Sequence, residues 1–113
     1  MQIINQEITI KELRAMAEKM FGNLVKAVVD IEKELLAVDA ELHADEEACL
    51  LKNGSKQKDL WGINLYPELT GDDFIEFDSM INLRPAQGNF IRGVADKKIQ
   101  QRIREIVDKL VKL

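Results

Sequence analysis

At 113 residues, 46% hydrophobic and 32% charged, the chain has globular composition and the length of one domain. A net charge of −4 argues against a nucleic-acid binder driven by overall charge, and no apolar run approaches the ~18 residues of a membrane span. The single cysteine, Cys49, excludes an internal disulfide and a cysteine zinc cluster.

The opening MQIINQEITI has no basic stretch followed by a small-residue cleavage site, so a cytoplasmic address is the default expectation. Gln2 to Asn5 reads as a short edge strand. Thr9 to Glu12 has the pattern of a capping box, in which the Thr hydroxyl accepts from the amide three residues on and the Glu reaches back. Ile10, Leu13, Met16, Ala17, Met20 and Phe21 then recur at helical spacing, and Gly22 supplies a left-handed stop.

Leu24 to Leu42 mixes helix formers with the β-branched Val25, Val28, Val29 and Ile31. Its alternation (Ala27, Val29, Ile31; Leu36, Val38, Ala40, Leu42) predicts two strands joined by a tight turn at Glu32 to Glu34, although that turn has no Gly or Asn. Ala44 to Lys52 is helical, with acids in the first turn where the helix dipole favours them. Leu60 to Tyr66 is a strand stopped by Pro67. Phe74 to Leu83 is expected to return as a strand, with Ile75, Phe77, Ser79, Ile81 and Leu83 on one face. Pro85 to Ala95 is a loop, and Asp96 caps a last helix striped by Ile99, Ile103, Ile106, Val107, Leu110 and Val111. The order β-α-β-β-α-β-β-α predicts one α+β domain over residues 1–113, with three helices on a largely antiparallel sheet of about five strands.

Charge is uneven: 8 Lys/Arg against 17 Asp/Glu precede Arg84, and 8 against 3 follow from there. A basic last helix can bind RNA, but the commoner reading is a solvated face complementing an acidic neighbour. The helix brings neither exposed aromatics nor a recognisable RNA module, so nucleic acid is the weaker alternative.

Candidate chemistry is sparse. His43 and Glu47 are four apart on the predicted helix, but one histidine and a pair of acids fall short of a metal site, and no cofactor is expected. A small hydrolase or transferase using His43 with Asp45 or Glu47 remains the enzymatic alternative. Cys49 cannot form a dyad with His43 across six helical residues.

The polar, glycine-punctuated stretch from Asn82 to Arg92 is the best site candidate. Arg84 and Arg92 suit a carboxylate or phosphate, and Asn82, Gln87 and Asn89 suit amide-type hydrogen bonding. No Walker loop or dinucleotide fingerprint is present. If the two later strands pair, Trp61, Asn64 and Tyr66 floor a groove beside this loop, and Asn64, Tyr66 and Glu68 approach Glu76 and Asp78. His43 completes the candidate set if it converges with Trp61 and Arg84. The bland alternative is a turn-rich connector satisfying its own backbone.

The segments DLWGINLYPE (Asp59 to Glu68) and SMINLRPAQGN (Ser79 to Asn89), with VKAVVD (Val25 to Asp30) and ELHAD (Glu41 to Asp45), resemble a family of small uncharacterised prokaryotic proteins, a domain of unknown function. The likeness spans nearly the whole chain. It implies no assigned activity or catalytic residue, and it implies that Gly often stands where this chain has Glu34. The expected role is a non-catalytic binding or interaction module for a protein partner or small anionic ligand, away from membranes, as a monomer or homodimer.

Overall fold

The computed structural model describes residues 1–113. The elements are β1 (Gln2–Ile4), β2 (Ile8–Thr9), α1 (Ile10–Lys19), β3 (Val25–Asp30), β4 (Leu35–Val38), α2 (His43–Lys52), β5 (Leu60–Leu65), β6 (Ile75–Glu76), α3 (Lys97–Leu110) and β7 (Val111–Lys112). The main sheet has the order β1-β4-β3-β5-β6 and is antiparallel throughout. A short parallel pair, β2 with β7, ties the start of α1 to the end of α3. The fold is thus α+β with three helices and a five-stranded antiparallel sheet, as its pattern of elements predicts.

Side-chain alternation assigns the two faces of the sheet. Ala27, Val29, Leu36, Val38, Trp61, Ile63 and Leu65 join Leu13, Met16 and Ala17 of α1 and Ile103, Ile106, Val107 and Leu110 of α3 in the larger core. Val28, Ala37 and Leu60 point the other way and pack against Leu50 of α2. The sheet is therefore sandwiched, with α1 and α3 on one side and α2 on the other. No helix is long and apolar enough to cross a membrane.

Thr9 and Glu12 form the expected capping box at the start of α1. The β3–β4 turn solves its missing glycine locally. Asp30 Oδ1 accepts from the amides of Glu32 and Lys33, each at 2.9 Å, and Glu34 takes a left-handed φ of 57°. Lys109 and Arg102 of α3 reach the Glu34 carboxylate at 2.9 and 3.1 Å and hold it below the usual carboxylate range. Arg104 faces Asp72 at 3.7 Å. The basic helix thus meets acidic neighbours, the physical origin of part of the charge asymmetry.

One predicted element needs correcting. Phe74 to Leu83 is a strand only at Ile75–Glu76; Met80–Asn82 forms a single 3₁₀ turn. Ser79 and Asn82 explain the change, since short polar side chains offer the backbone alternative partners. Ser79 Oγ accepts from the Ile81 amide at 3.3 Å. Asn82 is fully buried and bonds Gly62 in both directions: its Oδ1 accepts from Gly62 N at 2.8 Å, and its Nδ2 donates to Gly62 O at 2.9 Å. The same Nδ2 also donates to Arg92 O at 2.9 Å. A side-chain amide thus takes the place of a neighbouring strand on β5. Gly62 is required for this approach, because a Cβ there would lie 2.5 Å from Ser79 Cβ.

On the α2 side, Glu46 is fully buried and neither carboxylate oxygen has a hydrogen-bond partner. Burial pushes its pKa up to about 9; the Ala40 amide faces it and tempers the shift without reaching hydrogen-bonding geometry. The residue is a neutral acid at neutral pH.

Two outcomes follow. Asn82→Ala is expected to cost about 3 kcal/mol or more, measured by urea unfolding, because it strands the buried backbone N–H and C=O of Gly62. Asn82→Asp is expected to cost at least as much, since a carboxylate cannot donate to that carbonyl. For Glu46 the folded pKa lies above the unfolded one, so its stabilising contribution is complete below the unfolded value near 4.5 and is lost as pH rises towards about 9. The stability difference between Glu46→Gln and the parent protein should therefore shift in the variant's favour by up to about 1.4 kcal/mol per pH unit across that window.

Candidate functional site

The Asn82–Arg92 segment is folded upon itself. Arg84 and Asn89 exchange backbone hydrogen bonds at 2.8 and 3.1 Å, the Ser79 amide reaches Arg92 O at 2.9 Å, and Gly88 closes the turn with φ 76°. Asn89 Nδ2 donates to the carbonyls of Asn82, Ile91 and Gly93 at 2.7, 3.0 and 2.9 Å, while its Oδ1 accepts from Ala95 N at 2.9 Å. Arg84 is buried. Its guanidinium donates to Ile81 O at 3.0 Å, Gln57 O at 2.9 Å and Leu60 O, and it lies 4.7 Å from the Trp61 ring centroid. Glu47 stands 3.8 Å from it. Gln87 spans Arg84 at 3.3 Å and Lys58 O at 3.2 Å.

Arg84 and Trp61 therefore converge with each other, and His43 does not join them. The polar groups of Asn82, Arg84, Gln87 and Asn89 are engaged with the chain itself. Trp61 is buried on the α1–α3 side of the sheet.

A different set of candidates meets on the other face. His43, Asn64 and Arg92 line a cleft of about 280 Å3 with Lys26 and Asp78, between the start of α2 and the turn at Ser79 to Ile81. His43 Nε2 lies 2.7 Å from Ile63 O. A carbonyl only accepts, so Nε2 carries the proton and Nδ1 is left as a lone-pair acceptor with no protein partner. Burial lowers the His43 pKa; Lys26 and Arg92 add to this, while the Ile63 hydrogen bond and Asp78 oppose it. The neutral ring prevails at neutral pH.

Asn64 is set by the β5–β6 pairing, which puts it opposite Glu76. Its Nδ2 donates to Glu76 Oε1 at 2.8 Å, an oxygen that also accepts from Tyr66 Oη at 2.9 Å. Burial and then Glu76 raise the Tyr66 pKa. Asn64 Oδ1 is buried and has no partner. Arg92 Nε pairs with Asp78 Oδ1 at 2.7 Å at the half-exposed rim. Lys26 forms no ion pair and lies 5.2 Å from the Phe21 ring centroid.

The start of α2 adds backbone donors. Leu42 is its N-cap and has no polar side chain to offer, so the His43 and Ala44 amides are left free at the cleft wall. Asp45 lies beside a separate hollow with Cys49, and no group of three or more His, Cys, Asp or Glu side chains is placed to hold a metal ion. Lys26 was not among the residues singled out from the sequence. Its signal was a lone cation inside the apolar run Val25 to Val29.

Fold and site together describe a small α+β domain with a polar cleft on one face of its sheet. The chain belongs to the DUF5674 family of proteins of unknown function, whose model matches residues 2–110. No curated protein matches it, and no solved structure does.

The two arginines should separate cleanly. Arg84→Ala is expected to cost about 3 kcal/mol or more through the stranded carbonyls of Leu60 and Ile81 and the lost packing on Trp61, and Arg84→Lys should not restore it, because a single ammonium cannot reproduce the fork. Arg92→Ala, at an exposed pair, should change stability by less than about 1 kcal/mol. Urea unfolding of the three variants checks both statements.

Proposed function

We propose that this chain is a non-catalytic binding module that holds a small anionic ligand in the cleft between the start of α2 and the Ser79–Arg92 segment. The observation that carries this reading is Asn64 Oδ1, a buried acceptor without a partner in the wall of a cleft that also contains the unpaired cation Lys26. Buried polar groups are ordinarily satisfied, so an unpartnered one on a residue that lines a cleft marks that wall as a place for a ligand. Lys26, Arg92 and the free amides of His43 and Ala44 supply the attraction for negative charge. The volume, at the lower edge of ligand pockets, suits a metabolite of few atoms.

The enzymatic alternative draws no support from the geometry. Glu47 faces Arg84 and Asp45 lies elsewhere; His43 shares the cleft with Ser79 and Asp78, but no hydrogen bond joins it to either, and Ser79 is buried with its Oγ engaged by the Ile81 amide. The RNA alternative is weakened by the pairing of Arg102, Arg104 and Lys109 with acids of the same chain.

Thermal unfolding in the presence of phosphate, simple carboxylates, hydroxy acids and amino acids tests the proposal. A ligand at ten times its Kd stabilises by about 1.4 kcal/mol, a shift of a few degrees for a chain of this size. The shift should vanish in Lys26→Met, which keeps the aliphatic stem and removes the charge. A panel without any shift, or one unchanged by Lys26→Met, would overturn this assignment.

A further inference from the structure

The cleft contains two chemically opposite sets of groups, and together they narrow the ligand class. The first set only accepts. Asn64 cannot turn its amide round, because that would press its oxygen against the Glu76 carboxylate in place of the 2.8 Å hydrogen bond. Its Oδ1 therefore stays an acceptor, and it is buried and unpartnered. His43 is held in the Nε2-protonated form by Ile63 O, so its Nδ1 also only accepts. The Asp78 carboxylate is the third acceptor.

The second set attracts negative charge: Lys26, the Arg92 guanidinium and the two uncapped amides at the start of α2. A plain anion such as phosphate would satisfy this set but would set its oxygens against the acceptors. A hydroxy acid brings a donor hydrogen but no positive charge for Asp78. An ammonium brings both donor hydrogens and a positive charge for His43 and Asp78, with the buried Asn64 Oδ1 in the wall behind them. The adjacent Arg92–Asp78 pair, 2.7 Å apart, complements a ligand whose positive and negative groups are separated by one carbon.

Building on the cleft reading above, we infer that the ligand is a free α-amino acid, its ammonium directed to His43 and Asp78 on the Asn64 side of the cleft and its carboxylate to Lys26, Arg92 and the start of α2. Leu42, Met80 and Ile81 supply the apolar part of the lining, which selects a small or medium apolar side chain.

Isothermal titration of the intact chain with the common amino acids, each beside its α-hydroxy acid and its decarboxylated amine, tests this. One or more apolar amino acids should bind, and replacing the ammonium by hydroxyl or deleting the carboxylate should weaken binding about tenfold or more, the worth of one charged hydrogen bond. Asp78→Asn, at the half-exposed rim, should weaken the amino acid by a similar factor and leave the hydroxy acid unchanged. His43 is the only histidine, so its Nδ1 gives a single nitrogen-15 resonance that should move on saturation with the amino acid. If a hydroxy acid or phosphate binds as tightly as any amino acid, the zwitterion inference is overturned and the anion cleft stands. If amino acid binding is unaffected by Asp78→Asn and leaves the His43 signal in place, the inference also fails. If no small anion of any class binds, both readings fall.

Discussion

The structure turns on one side chain. β5 lies next to the edge of the sheet, and its partner β6 covers only Asn64 and Leu65. Further along, the outward N–H and C=O of Gly62 would be left bare, an unfavourable state for buried backbone. Asn82 supplies both missing partners from one planar amide. It also binds Arg92 O, fixing the far end of the segment to the same point. Asn89 and Arg84 then satisfy the interior carbonyls of that segment. A stretch that lacks regular secondary structure is thereby held by a connected polar network, and such networks specify a single arrangement when every member is satisfied.

That rigidity makes a cleft possible. Asn82 sets the distance between the Ser79–Ile81 turn and β5, and Gly62 removes the one Cβ that would widen it. On the opposite wall, α2 begins where Leu42 cannot cap it, so its first amides remain available. A better cap at that position would have stabilised the helix and closed off those donors. His43 belongs to both worlds: its Nε2 is spent on Ile63 and locks the helix start to β5, while its Nδ1 is left free. Glu46, one turn on, is a neutral acid buried against the sheet without a partner. The α2 face therefore sacrifices stability in two places, and local conflicts of this kind concentrate where a protein has work to do.

Much of this was readable in the chain and some was not. The Thr9–Glu12 capping box, the Asp96 cap and the apolar stripes of α1 and α3 depend on neighbours three or four residues away, so spacing reveals them. The β3–β4 hairpin was legible from β-branched residues, although its turn relies on Asp30 and on a left-handed Glu34 in place of a glycine. The alternation of Ile75, Phe77, Ser79, Ile81 and Leu83 misled, because it takes no account of what Ser79 and Asn82 do to the backbone. Asn82 to Arg92 stood out as polar, yet its direction was hidden. The same Arg, Asn and Gln groups that suit a ligand also suit carbonyls of their own chain, and only proximity decides which they meet.

The sequence by itself determined the α+β class, the three helices and the hairpin. Each rests on local periodicity or on the register of adjoining strands, which short-range pattern encodes. Tertiary structure alone decided that Arg84 belongs with Trp61 and the carbonyls of residues 57, 60 and 81, whereas Arg92 belongs with His43, Asn64, Lys26 and Asp78. Arg92 follows Arg84 by eight positions, and nothing in their flanking composition distinguishes them. The distinction arises from burial: one guanidinium lies within reach of three carbonyls of its own chain, and the other is left at a solvent-facing rim.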